Sequence, residues 1–144
     1  MKQFLFQENY PLFTLEVEKR ETSFTSVDQI VEFLKARIDE NNMARFIAVF
    51  DHFSHTAALE FGQIGEGILA AKNIIFCFGI TLPNPQAMAL RPRSIGVVEL
   101  AQTFVLTFME APMPLANVAM ESWARMVRDR VHLGEMPAQL AHTH

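Results

Sequence analysis

The segment SVDQIVEFLKARIDENN, residues 26–42, constrains the fold more than any other part of the chain. Val27, Ile30, Val31, Leu34 and Ile38 recur at helical spacing, with Glu32, Lys35, Arg37 and Glu40 around the other side. Ser26 followed by Gln29 is a capping-box start, and Asn41 and Asn42 mark the end. A helix with one apolar stripe needs an apolar surface to cover, and the flanking segments read as strands. Phe13, Leu15 and Val17 alternate with Thr14, Glu16 and Glu18, the pattern of a strand with one wet face. Residues 44–51, ARFIAVFD, are nearly continuously apolar, which predicts a strand in the middle of the sheet, covered on both faces. KNIIFCFG predicts a third strand of the same kind.

Further on, the prolines of TLPNPQAMALRPR allow a loop with one short helical turn. SIGVVEL and TFVLTFMEA are close enough to form a hairpin around Ala101 and Gln102. LANVAMESWARMVRDRV then predicts a last helix with two apolar seams. Leu115, Val118, Ala119 and Met126 make one; Met120, Trp123, Val127 and Val131 make the other. The expected fold is α+β: helices on one face of a largely antiparallel sheet, in a single compact two-layer domain over residues 1–133. Residues 134–144 read as a mobile tail.

Composition narrows the function classes. Of 144 residues, 50% are apolar and only 19% charged, below the roughly 25% of an ordinary soluble domain. That shortfall points to a buried face beyond the core, most simply a homodimer interface; the seam of Met120, Trp123 and Val127 suits it, and Trp123 equally suits completing the monomer core. The net charge is −4 and the twelve Lys and Arg are scattered, which argues against a nucleic-acid partner. The amino end lacks the apolar run of a signal peptide, and no apolar stretch reaches the ~20 residues of a membrane span. A cytoplasmic protein without a membrane partner is expected. Cys77 is the only cysteine, flanked by Phe76 and Phe78, and reads as a buried, inert thiol.

Several phrases occur together and in order: VFDH, IIFCFG, Asn84–Pro85, PRSIGVVE and TFVLTFMEAP. With them the chain resembles, over residues 12–130, the family catalogued as domain of unknown function 302. The resemblance implies a compact α+β domain, often dimeric, and no particular activity. The chain departs from the family pattern twice. Ile80–Pro83 separate its Phe-Gly and Asn-Pro steps, and FGQIGEGILAAK stands where the family has an Ala-rich stretch.

The densest chemistry lies in FDHFSHTAALEFGQIGEG, residues 50–67. Asp51, His52 and His55 include two imidazoles and a carboxylate, each a competent ligand for a divalent metal. Asp51 and His52 point to opposite faces if both are still strand, and Glu60, five residues after His55, is off its helical face. A hydrogen-bonded pair closing a strand end is the simpler reading. Gly62, Gly65 and Gly67 reverse the spacing of a dinucleotide fingerprint, and Glu66 among them would repel phosphate, so they read as a turn. Arg91 and Arg93, either side of Pro92, could grip a carboxylate or phosphate, or be solvated. His142 and His144 lie in the tail.

Two readings follow. One is a non-catalytic dimeric domain that binds a small ligand or partner protein near the sheet's end, with Asp51, His52, Arg91 and Arg93 as ligand-binding candidates. The other is a small metal-dependent enzyme using Asp51, His52 and His55, with His52 and His55 as metal ligands and an arginine holding an anion. The residues specify no cofactor.

Overall fold

Strand registry, more than any single packing contact, decides where the chemistry lies. The structure, a computed structural model, describes residues 1–130. Its six strands are β1 (Lys2–Phe6), β2 (Tyr10–Glu18), β3 (Ala44–Asp51), β4 (Ala70–Phe78), β5 (Arg93–Glu99) and β6 (Thr103–Met109). They form one sheet in the order β1-β2-β6-β5-β4-β3, every neighbouring pair antiparallel. The helices are α1 (Val27–Glu40), α2 (His52–Ala57) and α3 (Pro114–Arg125), and a 3-10 turn spans Pro85–Ala89.

The α1 stripe behaves as its spacing predicts. Val27, Ile30, Val31, Leu34 and Ile38 are buried against Leu15, Val17, Ile74, Ile95, Val97, Phe104 and Leu106 from alternate positions of four strands. Ser26 Oγ accepts the Gln29 amide at 3.1 Å. The reciprocal bond shifts by one residue: the Gln29 side chain accepts from the Thr25 amide, at 2.8 Å.

The last helix resolves its two seams. Met120, Trp123 and Val127 are buried in the monomer core, with Trp123 edge-on to Phe76 at 5.7 Å between ring centroids. They are therefore not a free interface. The exposed seam is the other one, Leu115, Val118 and Met126. Val131 and the tail from Gly134, with His142 and His144, lie outside the described residues.

The expectation that β3 and β4 are covered on both faces is corrected: β4 is an interior strand, but only its Ile74, Phe76 and Phe78 face is buried in the core. β3 is an edge strand, paired only with β4, and most of its side chains are exposed. A bulge between Phe46 and Ala48 switches the alternation, so both faces of the strand carry apolar residues although only Ala44 and Phe46 pack against the core. β1, hydrogen-bonded to β2, is an additional strand on the other edge.

Both helices that cover the sheet, α1 and α3, lie on one face. Among the described residues neither α1 nor α3 covers the opposite face. By register it carries Leu12, Thr14, Met109, Val105, Thr107, Ser94, Gly96, Val98, Asn73, Ile75 and Phe50. Cys77 faces the same side opposite Arg45 and is half-exposed, not buried.

Candidate functional site

Asp51 ends β3 and caps α2. Its carboxylate accepts the Ser54 backbone N–H at 2.9 Å and the Ser54 hydroxyl at 3.0 Å. Those two bonds, helped by the charge of Lys72, hold the Asp51 carboxyl below its ordinary pKa. Lys72 is shared, lying 3.9 Å from Asp51 and 2.6 Å from Asp28. Its own pKa is raised, chiefly by the Asp28 hydrogen bond.

His52 starts the short helix α2 and His55 lies in its last turn; both are exposed. Each ring packs on Phe50 at 5.2 Å, and the two rings are 6.3 Å apart. The fold thus brings the two imidazoles to one side. It supplies no third donor: among the described residues no group of three or more His, Cys, Asp or Glu gathers as a metal site. Glu60 lies beyond α2, in the exposed connection. The glycines there are used for geometry. A Cβ on Gly62 would meet the Thr56 carbonyl oxygen at 1.9 Å, and Gly67 has φ +86°.

Arg91 and Arg93 are at the opposite end of the sheet. Asp51 pairs with Lys72, whereas Arg93 pairs with Phe76, one strand over and four residues further along β4. That separates them by roughly 13 Å along the strand alone. The sequence-derived group Asp51, His52, Arg91 and Arg93 is therefore two separate places.

At the arginine end the ends of β4 and β6, the start of α3 and the Pro85–Ala89 turn enclose a cleft of about 460 Å3. Its walls are Phe78, Pro83, Asn84, Gln86, Ala87, Leu90, Arg91, Arg93, Ala111, Pro112, Met113 and Ala116. Most are apolar, none is acidic, and the volume falls within the roughly 300–1,000 Å3 of small-molecule sites. Local chemistry holds the walls in place. Asn84 caps the 3-10 turn, its side chain accepting the Ala87 amide at 3.0 Å. Asn117 clamps Ala111 in both directions, at 2.7 and 2.8 Å. Gly79, with φ +113°, leaves room for Arg91, whose Nη2 would sit 3.0 Å from an added Cβ.

Among the described residues the guanidinium groups bond only to carbonyls. Arg91 donates to Thr81 O, and Arg93 donates to Leu90 O and Met109 O. Arg93 Nε is buried and has no hydrogen-bond partner among the described residues. Burial lowers the Arg93 pKa, although an arginine stays charged throughout the physiological range. Among the described residues neither arginine forms an ion pair. Residue types alone single out the arginines but not Phe78, Leu90, Ala111, Met113 or Ala116, which carry no chemical signal. The one sequence cue to their meeting is the prolines at 83, 85, 92, 112 and 114, which bracket both wall segments.

Fold and cleft together define a small two-layer α+β domain with an open sheet face and a cleft at the arginine end. The chain belongs to a family of unknown function, DUF6858, whose pattern matches residues 1–129. This is a different family from the one that its Asp-His and Asn-Pro phrases resemble. No match was found among curated proteins or among solved structures. Among the described residues, no helix is long and apolar enough to cross a membrane.

Proposed function

We propose that the protein is a non-catalytic binding domain that holds a small ligand in the cleft between β4, β6 and α3. The observation that carries this reading is the cleft itself: apolar walls around two guanidinium groups, with no acidic wall residue. The metal-dependent alternative through Asp51, His52 and His55 has less behind it, since Asp51 is engaged as a helix cap and the imidazoles lack a third donor. Native mass spectrometry of protein purified from its host without chelator tests the choice. Retained mass that disappears in Ala116→Leu supports the cleft. Retained metal that disappears in His52→Ala contradicts it.

A second observation favours a homodimer through the open sheet face. The face is six strands wide, with strands of five to nine residues. At about 4.8 Å between strands and 3.3 Å per residue, it offers roughly 600–800 Å2, close to the ~800 Å2 per partner of a standard interface. Its central polar groups already pair within the chain: Thr14 with Thr107 at 2.9 Å, and Asn73 with Ser94 at 3.1 Å. Covering the face therefore desolvates polar groups that already have at least one partner. Charge is confined to the margins, with Glu16 and Glu18 beside Lys2 on one side and Arg45 at the diagonally opposite corner. A two-fold axis along the other diagonal would bring those opposite charges together. Sedimentation equilibrium should find a dimer that Val105→Lys dissociates; a wild-type monomer at high micromolar concentration would overturn this half of the proposal.

A further inference from the structure

We infer that the ligand of this cleft is an amphipathic organic anion: a carboxylate, or a comparable oxyanion, carried on an apolar body. The inference rests on the reading of the cleft as a ligand site and adds the chemical class.

The cleft separates into two kinds of wall. Phe78, Ala87, Ala111, Met113 and Ala116 offer no hydrogen-bonding side chain, so they suit an apolar body. Arg91 and Arg93 provide the charge. Each guanidinium has five N–H donors. The described bonds use one from Arg91 and two from Arg93, all directed to backbone carbonyls. A carbonyl orients a guanidinium but does not neutralise it, so two like charges stand at one mouth without a counter-ion among the described residues. An oxyanion supplies the missing charge and accepts the remaining donors in the fork geometry that arginine favours.

The surroundings reinforce the sign. α3 starts on the same wall, and its N-cap residue Met113 makes no side-chain cap bond, so the positive end of the helix is not masked. Gly79 carries no side chain where Arg91 lies against the backbone. A bare inorganic anion would leave the apolar walls wet, and a neutral apolar molecule would leave the arginines uncompensated. Only a ligand with both parts uses the whole cleft.

Calorimetric titration with three matched probes, octanoate, 1-octanol and octylammonium, tests this on the intact protein. The expected order is octanoate first, 1-octanol at least tenfold weaker, and octylammonium without measurable binding. Arg91→Gln and Arg93→Gln should each weaken octanoate by about ten- to a hundredfold while leaving 1-octanol unchanged. Arg93→Lys, which keeps the charge, should recover part of the loss. Ala116→Leu, which occupies cleft volume, should weaken all binding. Circular dichroism melts establish that each variant is folded, and the wild-type probe order stands even if one is not. Equal binding of octanoate and 1-octanol, both lost in Ala116→Leu, overturns the anion class and leaves the cleft as a ligand site. Failure of every probe at millimolar concentration, or octanoate binding unaffected by Ala116→Leu, overturns both.

Discussion

The two ends of the sheet are built in opposite ways. At the end of β3 the reactive side chains are present, but their capacity is spent or scattered. Asp51 is committed to Ser54, Lys72 is divided between two aspartates, and the histidines stand in solvent on Phe50. At the start of β5 there are only two arginines, yet they sit beside a walled volume with their charge unanswered. The difference teaches that unmet valence beside a cavity, more than density of titratable residues, marks where a ligand belongs.

That contrast predicts an asymmetry in stability as well as in binding. The largest effect is expected from Phe78→Ala, which removes a buried ring from the cleft wall and should cost about 3–5 kcal/mol in urea unfolding. Gly79→Ala comes next: φ +113° and the close Arg91 should make it cost about 1–3 kcal/mol and weaken octanoate binding in parallel. Asn84→Ala removes the cap of the 3-10 turn, and about 1 kcal/mol should be lost. At the other end, the double variant His52→Ala/His55→Ala should stay within about 0.5 kcal/mol of wild type and bind octanoate unchanged. A large destabilisation there, or a loss of binding, would erase the contrast.

The Asp51 cap sharpens it further through pH. A carboxyl whose folded pKa lies below its unfolded value stabilises the fold above the unfolded value, near 4, and loses that contribution as pH falls through the folded one. Wild type should therefore melt slightly above Asp51→Asn at pH 7, and the gap should close as acidification protonates the folded-state carboxyl. A gap that persists in acid would mean that the charge is not what Asp51 contributes.

Most of the two-layer fold was legible in local pattern. The α1 stripe, its Ser26 start, its end near Asn41 and the β5–β6 hairpin all follow from short-range periodicity and turn chemistry. The position of β3 was not. A continuous apolar run reads as a covered central strand, but a bulge and an uncovered face produce the same run at an edge. β1 was hidden by its turn, where Gln7 and Glu8 take positive φ, conformations that usually announce themselves as Gly or Asn. The α3 seams were both visible, yet which one meets the sheet depends on where the helix starts, which periodicity does not give. The cleft was illegible for a similar reason: alanines and a phenylalanine become a site only when two distant segments meet.

The most direct test of the central contrast is a pair of nitrogen-15 NMR titrations on one sample, first with octanoate and then with zinc ion. The account predicts saturable octanoate shifts at Gly79, Leu90, Ala111 and Ala116, with His52 and His55 unmoved, and no tight zinc response at either end. Submicromolar zinc binding that shifts His52 and His55, with no octanoate response around Arg93, would contradict it.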